Sequence, residues 1–160
     1  MSEMEVRDVS LGPMRVASFR GFGPNPEESA WRALVQWGQV RGLLGDLKAR
    51  HFFGFNNPNP EPGNSIYGYE QWMVIGPEVE AGDGVEIKDF RGGLFAVTRC
   101  RLVEITEVWG RLVRWCMEGG RALGDNPLLE ECLTPELFVP ETDPRLMDAL
   151  FDIYLPLRSD

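Results

Sequence analysis

Trp31-x-x-Leu34-Val35-x-Trp37 recurs as Trp109-x-x-Leu112-Val113-x-Trp115, offset by 78 residues in a chain of 160. Tryptophan is a scarce residue, and four of the five in this chain stand in these two copies. Working outward, Met4-Glu5-Val6-Arg7-Asp8 resembles Val85-Glu86-Ile87-Lys88-Asp89, and Gly12, Met14, Val16 resemble Gly93, Phe95, Val97, both at an offset of 81. Tyr69-Glu70-x-Trp72-Met73 resembles Phe151-Asp152-x-Tyr154-Leu155 at an offset of 82. Four matches in one order at nearly one spacing describe an internal duplication, which fixes the architecture before any single element is read.

Each half reads as strand, helix, strand, strand. In the first, Met14–Phe22 alternates as a strand. Asn25 can cap and Pro26 can start a helix that places Trp31, Leu34, Val35 and Gly38 on one face until about Leu44. His51–Asn56 is a short aromatic strand, Asn57–Asn64 a loop of strand-stopping residues, and Tyr67–Ile75 a strong strand. A Gly/Pro/acidic linker, Gly76–Gly84, separates the halves. In the second, Glu86–Val103 supplies the first strand region and Thr106 can cap a helix reaching about Leu123. Leu128–Leu133 and Phe151–Leu157 are strands, with a helical turn expected near Pro144–Ala149. The expected fold class is α+β: one domain over residues 1–160, with duplicated β-α-β-β halves at about 4–76 and 85–157. Together they form one curved antiparallel sheet of about eight strands with two helices on one face. A groove where the halves meet is a usual place for a ligand.

Composition narrows the chemistry. With 43% hydrophobic residues there is ample material for a core, and the net charge of −9 disfavours direct binding of nucleic acid. The single histidine, His51, rules out a multi-histidine metal site, and Cys100, Cys116 and Cys132 are too widely spaced for a zinc pair. No cofactor is indicated. The beginning, Met1-Ser2-Glu3-Met4-Glu5, does not read as a secretory leader, and no apolar stretch approaches the ~20 residues that span a bilayer. A cytoplasmic setting without membrane association is therefore expected. Dinucleotide, P-loop, serine-hydrolase and zincin motifs are all missing.

Period-two alternation organises the site candidates. In Leu128-Leu129-Glu130-Glu131-Cys132-Leu133, Glu130 falls beside Leu128 and Cys132, and Glu131 beside Leu129 and Leu133. One of the two carboxylates therefore shares an apolar face, where burial is costly unless the group is paired. In Tyr67–Ile75, Glu70 and Trp72 share one face, and Tyr67, Tyr69, Gln71 and Met73 the other. A Glu beside a Trp can hold a cation by charge and ring face together. Tyr154 is the repeat partner of Trp72. The helical tryptophans read first as core, with Trp109 and Phe53 also counted among the ligand-contact candidates.

The stretch Asn56-Asn57-Pro58, Pro62-Gly63, Tyr67-Gly68-Tyr69-Glu70-x-Trp72, with Leu129-Glu130-Glu131-Cys132 and Asp152-Ile153-Tyr154-Leu155-Pro156, resembles the GyrI-like small-molecule-binding family, also called the effector-binding domain of transcription activators. The resemblance covers about residues 4–157. It implies a duplicated fold like that of the SOUL proteins and a pocket where a buried Glu and aromatic side chains bind lipophilic cations. By motif position Glu130 inherits the Glu role and Tyr154 a place in the pocket wall. Cys132 stands where a tyrosine is common. Some family members hydrolyse cyclopropane-containing toxins, which would make Glu130 a general base assisted by Tyr69 or Tyr154. The resemblance thus implies a stand-alone binder of lipophilic, cationic compounds, with hydrolysis as the alternative. A protein partner, such as a topoisomerase inhibited by an acidic surface, or a homodimer is compatible with the same sequence.

Overall fold

The computed structural model describes residues 4–82, 84–139 and 142–159. Met1–Glu3, part of the beginning read above for a leader, lie outside the described residues. The elements run β1 (Arg7–Leu11), β2 (Met14–Gly23), α1 (Pro26–Val40), β3 (Phe52–Asn56), β4 (Tyr67–Val74), β5 (Glu86–Phe90), β6 (Gly93–Arg101), α2 (Ile105–Glu118), β7 (Leu129–Cys132) and β8 (Leu150–Pro156). They build one eight-stranded sheet in the order β1-β6-β8-β7-β3-β4-β2-β5, and every strand pair is antiparallel.

The order is symmetric about its centre: β7 matches β3, β8 matches β4, β6 matches β2 and β1 matches β5. Eight strands are present as expected, four to each half: beyond the strand-helix-strand-strand order read for each, Arg7–Leu11 adds a leading strand to the first half and the stretch Glu86–Val103 is two strands in the second. It breaks where Gly92 and Gly93 adopt φ of +87° and +159°, conformations that side chains other than glycine rarely take. The leading strand of each half pairs with the other half, β1 on β6 and β5 on β2. The two leading strands occupy the opposite edges of the sheet, equivalent places that match the similarity between Met4–Asp8 and Val85–Asp89.

This exchange of leading strands forces the sheet to curl. Phe90 and Gly93 are three residues apart, a reach of ~11 Å, yet β5 and β6 have five strands between them in the sheet order. In a flat sheet they would stand ~29 Å apart. The sheet therefore bends into a half-barrel, and its inner face closes on an aromatic chain of its own. Phe53 packs on Tyr154, Tyr154 on Phe95, Phe95 on Phe90, Phe90 on Trp72 and Trp72 on Phe55, with ring centroids 5.0–6.4 Å apart. Val16, Phe95, Val97 and Leu129 are fully buried there without any covering layer of helices.

The outer face carries the helices. Leu34 of α1 and Leu112 of α2, equivalent positions of the repeat, are both fully buried against it, a contribution of ~1.5–3 kcal/mol for each such side chain. Both helices stop earlier than the periodicity suggests, α1 at Val40 before Gly42 (φ +69°) and α2 at Glu118 before Gly120 (φ +75°). Pro26 opens α1 as expected, but Asn25 makes no side-chain cap, and α2 begins at Ile105 with Glu104 in the capping position rather than Thr106. The expected turn near Pro144–Ala149 is a short 3-10 turn, Leu146–Asp148. Trp37 is buried and donates to the Ala81 carbonyl, whereas its repeat partner Trp115 is 44% exposed and not core. Because α1 sits over β2 and β4 and α2 over β6 and β8, the middle of the outer face lies open between them. No helix among the described residues is long and apolar enough to cross a membrane.

Candidate functional site

Over the central strands, between the two helices, lies an open cleft of about 1690 Å³. β7 crosses its floor, and alternation sends Glu130 outward into it while Leu129 and Glu131 point to the inner face. The Glu130 carboxylate is half-buried, open to the cleft and enclosed elsewhere. Its Oε1 accepts the Tyr69 hydroxyl at 2.8 Å and its Oε2 accepts the Trp109 indole N–H at 2.8 Å. Both donors are neutral, and no Lys, Arg or His among the described residues pairs with it. Burial pushes the Glu130 carboxyl above the ordinary carboxylate range. Trp109 and Tyr69 pull back, and the charge of Glu27 adds to the rise.

Tyr69 reaches Glu130 only because β3 gives way. Its ring passes over Gly54, the residue paired with Glu130 across β3 and β7. A Cβ there would stand 2.2 Å from the Tyr69 oxygen. Gly54 is also the position that mirrors Glu130 about the centre of the sheet, so one half supplies the carboxylate and the other an empty place for its partner's ring. Burial, and then the Glu130 charge, raise the Tyr69 phenol well above its usual value, so it stays a proton donor.

A second phenol–carboxylate pair stands beside the first. Tyr67, on the same face of β4, donates its hydroxyl to Glu27 in the first turn of α1. Its phenol is likewise raised, by burial first and then by Glu27. Trp31 follows Glu27 by one helical turn and stacks on Phe138, with centroids 4.7 Å apart. All of these residues line the cleft.

The structure thus brings Tyr67, Tyr69, Trp109 and Glu130 together and separates the other candidates. Glu70, Trp72, Phe53 and Tyr154 lie on the inner face, behind the sheet from the cleft. The reason is register: Tyr154 stands opposite Leu129, and Ile153 opposite Glu130, so the terminal strand turns its tyrosine away. Tyr154 donates to Glu131 at 2.7 Å, and Glu131 also meets His51 Nδ1 at 2.9 Å. Cys132 is buried in the core beneath the helices and does not line the cleft. Glu70 is closed off by four donors: Ser18, Asn57, Trp72 and Lys88. Sequence reasoning passed over Glu27, which looks like an ordinary acid favoured by a helix N-terminus, and Gly54, whose role appears only once Tyr69 is seen lying across it.

A curled eight-stranded sheet with two helices and a ligand-sized cleft between them defines a duplicated small-molecule-binding domain. The profile of the GyrI-like small molecule binding domain matches residues 4–158, and the chain belongs to that family. No curated protein matches the chain significantly. Among solved structures, the EcmrR C-terminal domain superimposes with a TM-score of 0.73 at 12% identity, covering 98% of this chain and 99% of that one. Against EcmrR in its DNA complex the TM-score is 0.63 at 10% identity, and the match covers 98% of this chain but only 58% of that chain. SAV2435 bound to tetraphenylphosphonium aligns with a TM-score of 0.56 at 12% identity, over 98% of this chain and 95% of that one. A hydrolase from Listeria innocua aligns with a TM-score of 0.58 at 11% identity, over 96% and 92%. At these identities the likeness is one of fold.

Proposed function

We propose that the protein binds a lipophilic cation in the cleft between α1 and α2, with Glu130 supplying the charge. The observation that carries this reading is a carboxylate at the cleft floor held by two neutral donors and lacking any basic partner. A cationic ligand would complete it. The tryptophans supply the apolar contact and ring faces that a lipophilic cation prefers over water. The fold neighbour SAV2435, solved with tetraphenylphosphonium, supports the same class of ligand. Titration calorimetry with tetraphenylphosphonium tests the assignment. Wild type is expected to bind, and Glu130→Gln to bind about tenfold or more weakly, at ~1.4 kcal/mol per factor of ten. Equal affinity in the two proteins would remove Glu130 from the role.

A second reading, hydrolysis of a strained electrophile, draws on the raised Glu130 carboxyl beside the Tyr69 phenol. A carboxylate with an elevated pKa is a stronger base toward water, and the phenol could steady the developing charge. Tyr154 has no part in it, since it lies behind the sheet. Turnover of a cyclopropane-containing substrate that survived in Glu130→Gln would end this reading.

A further inference from the structure

The preceding reading leaves Glu27 without a purpose, and the inference below rests on that reading. Tyr67 and Tyr69 are two residues apart on one strand face, ~7 Å along β4. Each holds a carboxylate at the cleft, Glu27 on one side and Glu130 on the other. Each carboxylate also has a tryptophan beside it: Trp31 one turn along α1 from Glu27, and Trp109 hydrogen-bonded to Glu130. Those tryptophans are the equivalent residues of the repeat, whereas the acids are not: Glu27 stands on α1 and Glu130 on β7, where its counterpart is Gly54, so the cleft presents two acid–aromatic stations of separate origin. Among the described lining residues the acids are Glu27, Glu28, Asp125 and Glu130, and the one base is Arg32. Arg32 is bonded to Glu28 at 2.7 Å, so neither Glu27 nor Glu130 receives a counter-charge from it.

A ligand with one positive centre can neutralise Glu130 or Glu27 but not both. Two carboxylates facing one cleft repel each other, and Coulomb attraction across a partly desolvated space is worth several times its value in water. We infer that the cleft is built for a two-centred organic cation: an aryl-bearing compound with two positive groups, one on Glu130 and the other on Glu27.

The test compares N,N′-dibenzyl-1,4-diaminobutane with N-benzyl-6-phenylhexan-1-amine, which keeps both rings and the chain length and replaces one ammonium by a methylene, by titration calorimetry, with tetraphenylphosphonium as the single-charge reference. The diamine is expected to bind wild type at least about tenfold more tightly than the monoamine. That ratio should fall to near one in Glu27→Gln and persist in Glu27→Asp, which keeps the charge. The Asp variant also separates charge from any folding defect, which thermal unfolding of both variants would show. A wild-type ratio near one, or an unchanged ratio in Glu27→Gln, overturns the two-centre inference while Glu130-dependent binding of tetraphenylphosphonium leaves the parent reading standing. No binding of any of the three compounds to wild type overturns both.

Discussion

Glu70 and Glu130 sit two strands apart in one sheet, each on a strand rich in aromatic neighbours, and they face opposite ways. Glu70 points into the barrel and accepts from Lys88 at 2.7 Å, Trp72 at 2.6 Å, Ser18 at 2.8 Å and Asn57 at 3.0 Å. Burial alone would raise its carboxyl. Lys88, Trp72, Asn57 and Ser18 outweigh it and hold the group below the ordinary range. Glu130 points out into the cleft and accepts from two neutral donors, and burial wins there. The difference is one ammonium group, the largest of the lowering contributions, together with two further neutral donors. A buried carboxylate with its counter-ion supplied is a structural clamp, here tying β5 to β4 across β2. One without it is, on the proposed reading, where the ligand's cation is held. Aromatic company does not distinguish the two.

The largest effect should come from breaking the clamp. Lys88→Met leaves Glu70 enclosed without its cation and should destabilise the fold by roughly 3 kcal/mol, the low end for a broken buried pair because Lys88 is itself 35% exposed. Urea unfolding measures this. The pH dependence has a definite sign. A depressed carboxyl contributes stability above its unfolded value and loses it as pH falls through the folded one. In Lys88→Met that acid-side loss should begin at a higher pH than in wild type. Tetraphenylphosphonium binding should change far less than stability, since Glu70 is behind the sheet.

The fold was legible in the sequence because duplication wrote it twice: the paired tryptophans and Leu34 with Leu112 mark equivalent helix faces whatever the details of either copy. What alternation could not supply was which face of a two-sided core carries the cleft. It separated Glu70 and Trp72 from Tyr67 and Tyr69 correctly, and it showed that Glu130 and Glu131 diverge. Both faces are apolar, however, because a curled sheet has a core inside as well as one beneath its helices, so hydrophobicity could not rank them. Tyr154, to which the resemblance gave a place in the pocket wall, stands opposite Leu129 and so on the inner face. In the second half the extra strand was hidden in the stretch Glu86–Val103, which divides only at Gly92–Gly93; in the first half it is Arg7–Leu11, set off from Met14 by Gly12-Pro13. Glu27 reaches the cleft through the packing of α1 on the sheet, a contact that spacing does not encode.

Gly54 sharpens the comparison from the cleft side. Gly54→Ala places a methyl group 2.2 Å from the Tyr69 oxygen and 2.6 Å from its nearest ring carbons, so the ring must move off Glu130. The expected cost is about 2 kcal/mol, typical of overpacking a filled site. Tyrosine fluorescence or NMR of the Tyr69 ring would report the displacement. The Glu70 clamp lies on the other face, so the combined Gly54→Ala, Lys88→Met protein should lose close to the sum of the two effects. A marked departure from additivity would mean that the two faces are coupled through β3 and β4.

The smallest effect is the most diagnostic, because its sign is opposite. Glu130 has a folded carboxyl raised above its unfolded value, so its contribution to stability is fully present below the unfolded pKa and is lost as pH rises through the folded one. Glu130→Gln keeps the shape and removes the charge. At neutral pH the variant should match or exceed wild type, by on the order of 1 kcal/mol or less. As pH is lowered through the carboxylate range wild type should gain on it, the reverse of the acid-side loss carried by Glu70. Denaturant unfolding of both proteins across that range reads the gap directly. A gap that closes toward acid identifies Glu130 as a charge held at a cost to the fold, which is what a site awaiting a cation requires. If instead the gap stayed flat, or wild type were the more stable protein at neutral pH, Trp109 and Tyr69 would be satisfying the carboxylate by themselves, and Glu130 would be a second clamp like Glu70.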